Sequence, residues 1–356
     1  MRFFFTLFFP VLFFISCSGK KGNNAVPIQK APEIKGADIS FLPGIRQSGL
    51  IFCNQNNQPE EMLITLKNAG VNVIRLRVWK NPTEPTSDFE TVKSLVREIK
   101  SLGLKTLITV HFSDTWADPG HQSKPLQWQS LNFIQLKDSV YSYTKKICSE
   151  INPEYIRLGN EINDGLLWPE GKLSSNLSQM KNLLKAGISA VRETNKNTKI
   201  IIHCAGFGDA DFFYSKISDL DYDIMGISYY PIWHGKDLLV LQQSLTSLSD
   251  TYNKFIFIAE TSYPFTLEWN DWTNNVIGLN SQLLPEYPAT PQGQKDYLLR
   301  ISDLVTKVPK GIGFCYWGAE WVSYKGSQSV NGSSWENQAF WDFNNKVLPV
   351  VGAYGK

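Results

Sequence analysis

Two glutamates each close an apolar, β-prone run: Glu161 ends Tyr155-Ile156-Arg157-Leu158-Gly159-Asn160-Glu161, and Glu260 ends Phe255-Ile256-Phe257-Ile258-Ala259-Glu260. A short, near-continuous apolar run reads as a strand buried on both faces. Glutamate is almost never fully buried unless it is paired, so its place at the end of such a strand asks for a reason. Taken singly, either one is accounted for as a loop cap or a salt-bridge partner. Taken together they suggest a pair of catalytic carboxylates, one to protonate a leaving group and one to attack. Asn160 adds a carboxamide directly beside Glu161.

The elements that must position these groups are legible from periodicity. Runs at 35–40, 72–79, 105–112, 155–161, 199–205, 223–230, 255–261 and 311–317 read as eight strands. Helical stretches at 59–69, 88–102, 131–151, 176–195, 209–218, 237–252 and 291–308 alternate with them, and a short last helix or tail closes near Val350. Strands alternating with helices make βαβ units with a parallel sheet. Right-handed crossovers close eight such units into a barrel. The expected fold class is therefore α/β, a single (β/α)8 barrel over residues 34–356 with no internal domain boundary. Active sites of such barrels lie at the C-terminal ends of the strands. Asp38, Arg77, Trp79, His111, Asp114, Asn160, Glu161, Tyr229, Tyr230, Glu260 and Trp317 all fall at those ends. The loops of the opposite rim are short and featureless.

Composition sets the outer limits. Of 356 residues, 42% are hydrophobic and 13% aromatic, enough for one large core. A net charge of +2 and the lack of a basic stripe argue against a nucleic-acid partner. At the N-terminus Arg2 precedes an apolar run from Phe3 to Ile15, which is too short for a comfortable membrane span and has the order of a signal peptide. Phe14-Ile15-Ser16-Cys17 resembles a bacterial lipobox. Residues 1–17 are thus expected to be a lipoprotein signal peptide with Cys17 as the lipidated residue, and 18–33 a flexible tether. The corresponding expectation is an exported lipoprotein at the outer membrane or cell surface, with plain secretion as the alternative. Cys53, Cys148, Cys204 and Cys315 are irregularly spaced and are expected to be free thiols rather than a zinc site or disulfides.

Glycoside hydrolysis needs two carboxylates flanking an anomeric carbon, held about 5–5.5 Å apart in retaining enzymes. The fourth and seventh strands lie three positions apart around an eight-membered ring, so their ends face each other across the mouth. Asn160 is suited to a sugar 2-hydroxyl, Arg77 with Tyr229 or Tyr230 to holding the nucleophile ionised, and Trp317 to stacking under a pyranose ring. Arg77 also reads as an interior salt bridge and Trp317 as core. Other chemistries fit less well: His111, His121, His203 and His234 have no HExxH-type spacing, and no phosphate loop or GxSxG elbow occurs. No cofactor is implied.

Longer motifs narrow the reading. They are Gly36-Ala37-Asp38-Ile39-Ser40, Val73 to Trp79, the run His111-Phe112-Ser113-Asp114-Thr115-Trp116-Ala117-Asp118-Pro119-Gly120-His121-Gln122, Leu158 to Gly165, Ile227 to Gly235, and Ala259 to Pro264. From about Lys35 to Trp321 the chain resembles glycoside hydrolase family 53, the endo-β-1,4-galactanases of clan A that act on type I arabinogalactan. The resemblance implies Glu161 as acid/base and Glu260 as nucleophile. It places Asn160, Arg77, His111 and Tyr229 at the cleaved bond and Trp116, Trp233, Trp317 and Trp321 as stacking platforms. Asp38, Asp114, Tyr230, His234 and Tyr263 join the expected substrate-binding set. Bacterial members similar to it hold calcium in the loop after the seventh strand. Here that loop lacks the usual Asp-Gly repeat and His, and offers Asp271 and Asn275 as hard-oxygen ligands, while Trp269 and Trp272 suggest sugar contact. The implied partner is β-1,4-galactan, bound by a monomer. Alternatives are a clan A enzyme for another β-linked polysaccharide, or a non-catalytic glycan-binding lipoprotein. The presence of both glutamates favours an enzyme.

Overall fold

Eight strands pair in parallel in chain order and close on themselves: β1 (Ile34–Asp38), β2 (Val73–Val78), β3 (Lys105–Val110), β4 (Tyr155–Leu158), β5 (Lys199–Ala205), β6 (Ile224–Ser228), β7 (Phe255–Thr261) and β8 (Gly311–Tyr316). This is the expected (β/α)8 barrel, seen in a computed structural model that describes residues 1–2 and 31–355. The signal peptide and Cys17 expected from sequence lie outside the described residues, apart from 1–2, as does most of the tether. Cys53, Cys148, Cys204 and Cys315 are free thiols.

The helices form where apolar stripes and caps agree. In Phe89–Ser101 the residues Phe89, Val92, Leu95, Val96 and Ile99 are buried, spaced to make one face. Asp88, expected as its first residue, is instead the N-cap, accepting from the backbone N–H groups of Glu90 and Thr91. Asn132 caps Phe133–Glu150 reciprocally with Gln135. Helix Met62–Ala69 starts three residues later than expected, because Glu61 rather than Pro59 supplies the cap. Helix Leu173–Thr194 starts three residues earlier than expected, at Leu173. Short helices at Leu42–Gln47 and Pro231–His234 were not legible in the periodicity.

Inside the barrel the layers change character with height. Ile34, Val73, Leu107, Tyr155, Ile201, Ile224 and Phe257 pack together as an apolar plug. Two residues further along their strands stand Arg75, Thr109, Arg157 and His203, all fully buried. Gly226 makes room there, since a Cβ would lie 2.9 Å from Ile201 Cγ2. The apolar layer seals the bottom, and the polar layer becomes the floor of the cleft above it.

Strand alternation alone would turn Glu260 outward, because Phe257 and Ala259 already face the barrel interior. The register corrects this. Ile227 pairs with Ile258 but Ser228 pairs with Glu260, so β7 carries one extra residue. Such a bulge re-aims the side chain that follows it. On β4 the extended backbone ends at Leu158, earlier than expected, as Gly159 and Glu161 adopt φ of +86° and +48°.

Candidate active site

The strand ends enclose a cleft of ≈ 560 Å³ lined by both glutamates together with Arg75, His111, Trp116, Asn160, Tyr230, Trp233, His234, Trp317, Trp321 and Trp335. Ten of the fifteen residues expected from sequence to form the site line it.

Glu260 is held by cations. Arg75 Nη2 and Arg157 Nη1 reach its Oε1 at 3.0 and 2.9 Å, and the Tyr230 hydroxyl donates to its Oε2 at 3.1 Å. Arg75 is held in turn by an ion pair with Asp38 at 2.9 Å and by Thr109 Oγ1, which its Nε reaches at 3.0 Å. Burial alone would lower the Arg75 pKa, but Glu260 and Asp38 more than offset it and raise it. Burial, followed by the charge of Glu260, raises the Tyr230 phenol well above its ordinary value, so it stays a donor.

Glu161 has one neutral hydrogen-bond donor instead. Ser228 Oγ donates to Glu161 Oε1 at 2.6 Å, and His203 lies beneath Ser228. Burial, and then the neighbouring negative charge of Glu260, raises the Glu161 pKa to about 8. A carboxyl kept protonated near neutral pH is what a general acid requires. Its φ of +48° is a left-handed conformation that a non-glycine residue adopts only when its surroundings enforce it.

Asn160 Oδ1 accepts from Arg75 and Arg157 at 3.3 and 3.2 Å, and its Nδ2 donates to the Ala117 carbonyl at 2.8 Å. One N–H of its amide remains for a ligand. His111 Nδ1 accepts from Trp79 Nε1 and Ala117 N, so its proton sits on Nε2, which has no protein partner. Burial, with the nearby arginines, lowers the His111 pKa well below the ordinary value, and the ring offers a neutral N–H. His234 Nδ1 accepts from Tyr230 N at 3.0 Å, which orients the start of its short helix.

Five expected site residues stand elsewhere. Arg77 makes no hydrogen bond or ion pair to Glu260 among the described residues. Its guanidinium lies between Phe41 at 4.0 Å and Trp116 at 4.4 Å, supporting the aromatic wall by cation–π contact. Arg75, two residues deeper on the same strand face, takes the place expected for it. Tyr229 is fully buried with its hydroxyl on the Gly235 carbonyl at 2.9 Å, so Tyr230 is the phenol at the nucleophile. Asp38 stands level with Arg75 in the β1–β2 register and is its counter-ion rather than part of the cleft lining. Asp114 Oδ2 anchors its own loop through Leu126 N at 2.8 Å. Tyr263 is buried and binds the Leu284 and Tyr287 carbonyls.

The aromatic wall has two parts. Trp116 packs against Trp79, Trp317 and Trp321, with Phe41 stacked on Trp321 at 4.0 Å. Trp317 joins this part to the second, in which Trp335 contacts Tyr230, Trp233 and Trp317 itself. Trp335, Arg75 and Arg157 were not among the expected site residues. The two arginines sit inside the apolar runs, where a buried charge was the available signal; Trp335 stands in a Gly-Ser-rich loop with no motif around it.

The loops after β7 and β8 are joined by the residues considered for calcium. Asp271 Oδ1 accepts from Thr273 N, and its Oδ2 accepts from Ser323 Oγ and Ser333 N. Asn275 Nδ2 donates to the Glu268 carbonyl, and Glu336 Oε1 accepts from two backbone N–H groups, of Asn270 and Asp271. A Cβ on Gly332 would lie 2.0 Å from Asp271 Oδ2. Both oxygens of Asp271 and Oε1 of Glu336 face N–H and O–H donors, a clasp between loops, whereas Asn275 Oδ1 and Glu336 Oε2 are buried with no hydrogen-bond partner among the described residues. No group of three or more His, Cys, Asp or Glu among the described residues is placed to hold a metal. Trp269 and Trp272 are exposed and do not line the cleft.

Comparison with known proteins agrees with this geometry. The arabinogalactan endo-β-1,4-galactanase of Cellvibrio japonicus is 33% identical over 339 residues, covering 90% of this chain and 89% of the relative. The GH53 catalytic domain of Ignisphaera aggregans superposes with a TM-score of 0.85 at 36% identity, over 93% of this chain and 98% of that one. A fungal β-1,4-galactanase structure gives 0.80 at 26% identity, over 92% and 100%. The family model of glycosyl hydrolase family 53 matches residues 34–354, and with two glutamates facing one aromatic cleft the chain belongs to that family.

Proposed function

We propose that the protein hydrolyses β-1,4-galactan from within the chain and retains the anomeric configuration, with Glu260 as nucleophile and Glu161 as acid/base. The observation that carries this reading is the contrast between the two carboxyl groups. Glu260 is ion-paired to two arginines, and Glu161 is pushed up in pKa by burial and by Glu260. In the first step Glu260 attacks the anomeric carbon while the glycosidic C–O bond breaks and the proton of Glu161 passes to the leaving oxygen. In the second, the Glu161 carboxylate takes a proton from water, the water oxygen bonds to the same carbon, and Glu260 departs. Arg75, Arg157 and Tyr230 hold the nucleophile in place as its charge is consumed and restored. His111 Nε2 and the free N–H of Asn160 are the donors available to sugar hydroxyls. Trp116, Trp317, Trp321, Trp233 and Trp335 supply faces on which pyranose rings stack.

Substrate identity is supported by the named galactanase relatives. The leader of residues 1–17 and a lipid on Cys17 fit a polysaccharide-degrading enzyme held at a cell surface; mass spectrometry of the mature N-terminus, with Cys17→Ala as control, tests that assignment. The activity itself is tested by product release from linear β-1,4-galactan beside mannan, xylan and cellulose. Galacto-oligosaccharides alone are expected. Cleavage of a different glycan would keep the chemistry and move the substrate, and binding without cleavage would point to a glycan-binding protein.

A further inference from the structure

A neutral hydrogen-bond chain behind Glu161 is left unexplained by the two-carboxylate reading. His203 on β5 and Ser228 on β6 are both fully buried. The Glu161 backbone N–H points at His203 Nδ1 at 3.1 Å, and Arg157 Nη1 lies 3.2 Å from the same nitrogen. An amide N–H and a guanidinium can only donate, so Nδ1 carries no proton. In the neutral ring the proton therefore sits on Nε2, which faces Ser228 Oγ at 2.8 Å. Ser228 accepts that N–H, and its single O–H is directed to Glu161 Oε1 at 2.6 Å.

We infer that His203 and Ser228 are positioning residues that fix which oxygen of Glu161 carries the catalytic proton. Oε1 is already an acceptor of the Ser228 hydroxyl. The acidic proton is consequently confined to Oε2, the oxygen left for the leaving group. After the proton has moved to the glycosidic oxygen the same hydroxyl remains in place, now as a stronger charge-assisted bond to the carboxylate. The relay works in both steps without itself gaining or losing a proton. Burial, followed by the charges of Arg157 and Arg75, lowers the His203 pKa well below its ordinary value, which keeps the ring neutral throughout. The same ring accepts the N–H of the one non-glycine residue in the motif held in a left-handed conformation, so it holds the backbone and the side chain of Glu161 together.

This inference rests on the glycosidase reading above, and the test separates the two. The measurement is kcat/KM on linear β-1,4-galactan and on a dinitrophenyl β-1,4-galactobioside, whose leaving group needs no protonation. Their ratio is independent of the fraction of enzyme correctly folded. For Ser228→Ala the ratio is expected to fall about tenfold, a part of the ~10²–10⁴-fold that general acid catalysis supplies. The alkaline limb of the galactan profile should move upward, because the lost hydroxyl favoured the ionised form. His203→Phe should behave alike, and His203→Gln, which keeps an N–H toward Ser228, should recover part of the ratio. A ratio within threefold of wild type in both Ser228→Ala and His203→Phe overturns the relay, since a packing role would depress both substrates together. Loss of galactan cleavage in the wild type would overturn the function itself, and with it the relay.

Discussion

The two sides of the cleft treat the same carboxyl group in opposite ways. Glu260, on β7, meets guanidinium groups from β2 and β4 and a phenol from just after β6, all donors, two of them charged. On the β5 and β6 side, Glu161 meets a hydroxyl backed by a neutral imidazole, and that bond, with the more distant charges of Arg157 and Arg75, does not offset its burial and the charge of Glu260. Neither glutamate's role is a property of glutamate. Two ion pairs and a phenol make a nucleophile, and a single neutral donor beside a buried carboxyl leaves an acid. The difference also explains why both arginines are buried without instability: Arg75 bridges Asp38 and Glu260, so the buried charges neutralise one another.

Removing the charged side of this contrast should have the largest effect. Glu260→Gln is expected to lower the rate on galactan by several orders of magnitude with circular dichroism unchanged; near-wild-type turnover would remove it as nucleophile. Next, Glu161→Ala should cost ~10²–10⁴-fold on galactan yet far less on the dinitrophenyl galactobioside, and equal losses on both would deny it the acid role. Arg75→Met leaves Asp38 and half of the Glu260 charge uncompensated in the interior. Breaking a buried pair costs about 3–5 kcal/mol, so urea unfolding should show a loss of that size together with reduced kcat; unchanged stability would mean Arg157 alone carries the charge. The smallest effect is a pH profile. Glu161 must hold a proton in the first step, and its pKa is raised, to about 8, so kcat/KM on galactan should stay high below that pH and fall as pH rises through it. The activated substrate should lack this limb. An alkaline fall near pH 5 would place the acid in an ordinary carboxyl environment and erase the contrast.

Much of this was legible in the chain. Apolar runs and capped amphipathic stretches are local patterns, and their strict alternation determined the barrel and the rim at which function would lie. Glu161, Glu260, Asn160, His111 and the tryptophans of the strand-end motifs followed from that rim. Three things depended on tertiary structure. Arg75 and Arg77 share one face of β2 and differ only in depth, about 6.6 Å along a strand; which of them meets Glu260 is decided by how β2, β4 and β7 are staggered, a relation between distant segments. Glu260 faces the cleft only because the β6–β7 register slips at Ala259, and a bulge leaves no periodic trace in a single run. His203, Ser228 and Trp335 come from separate strands and a featureless loop, so their meeting with Glu161, with Tyr230 and with one another exists only once the barrel has closed. Local pattern determined where the chemistry would sit; contact across the barrel decided which side chains hold the charge and the proton.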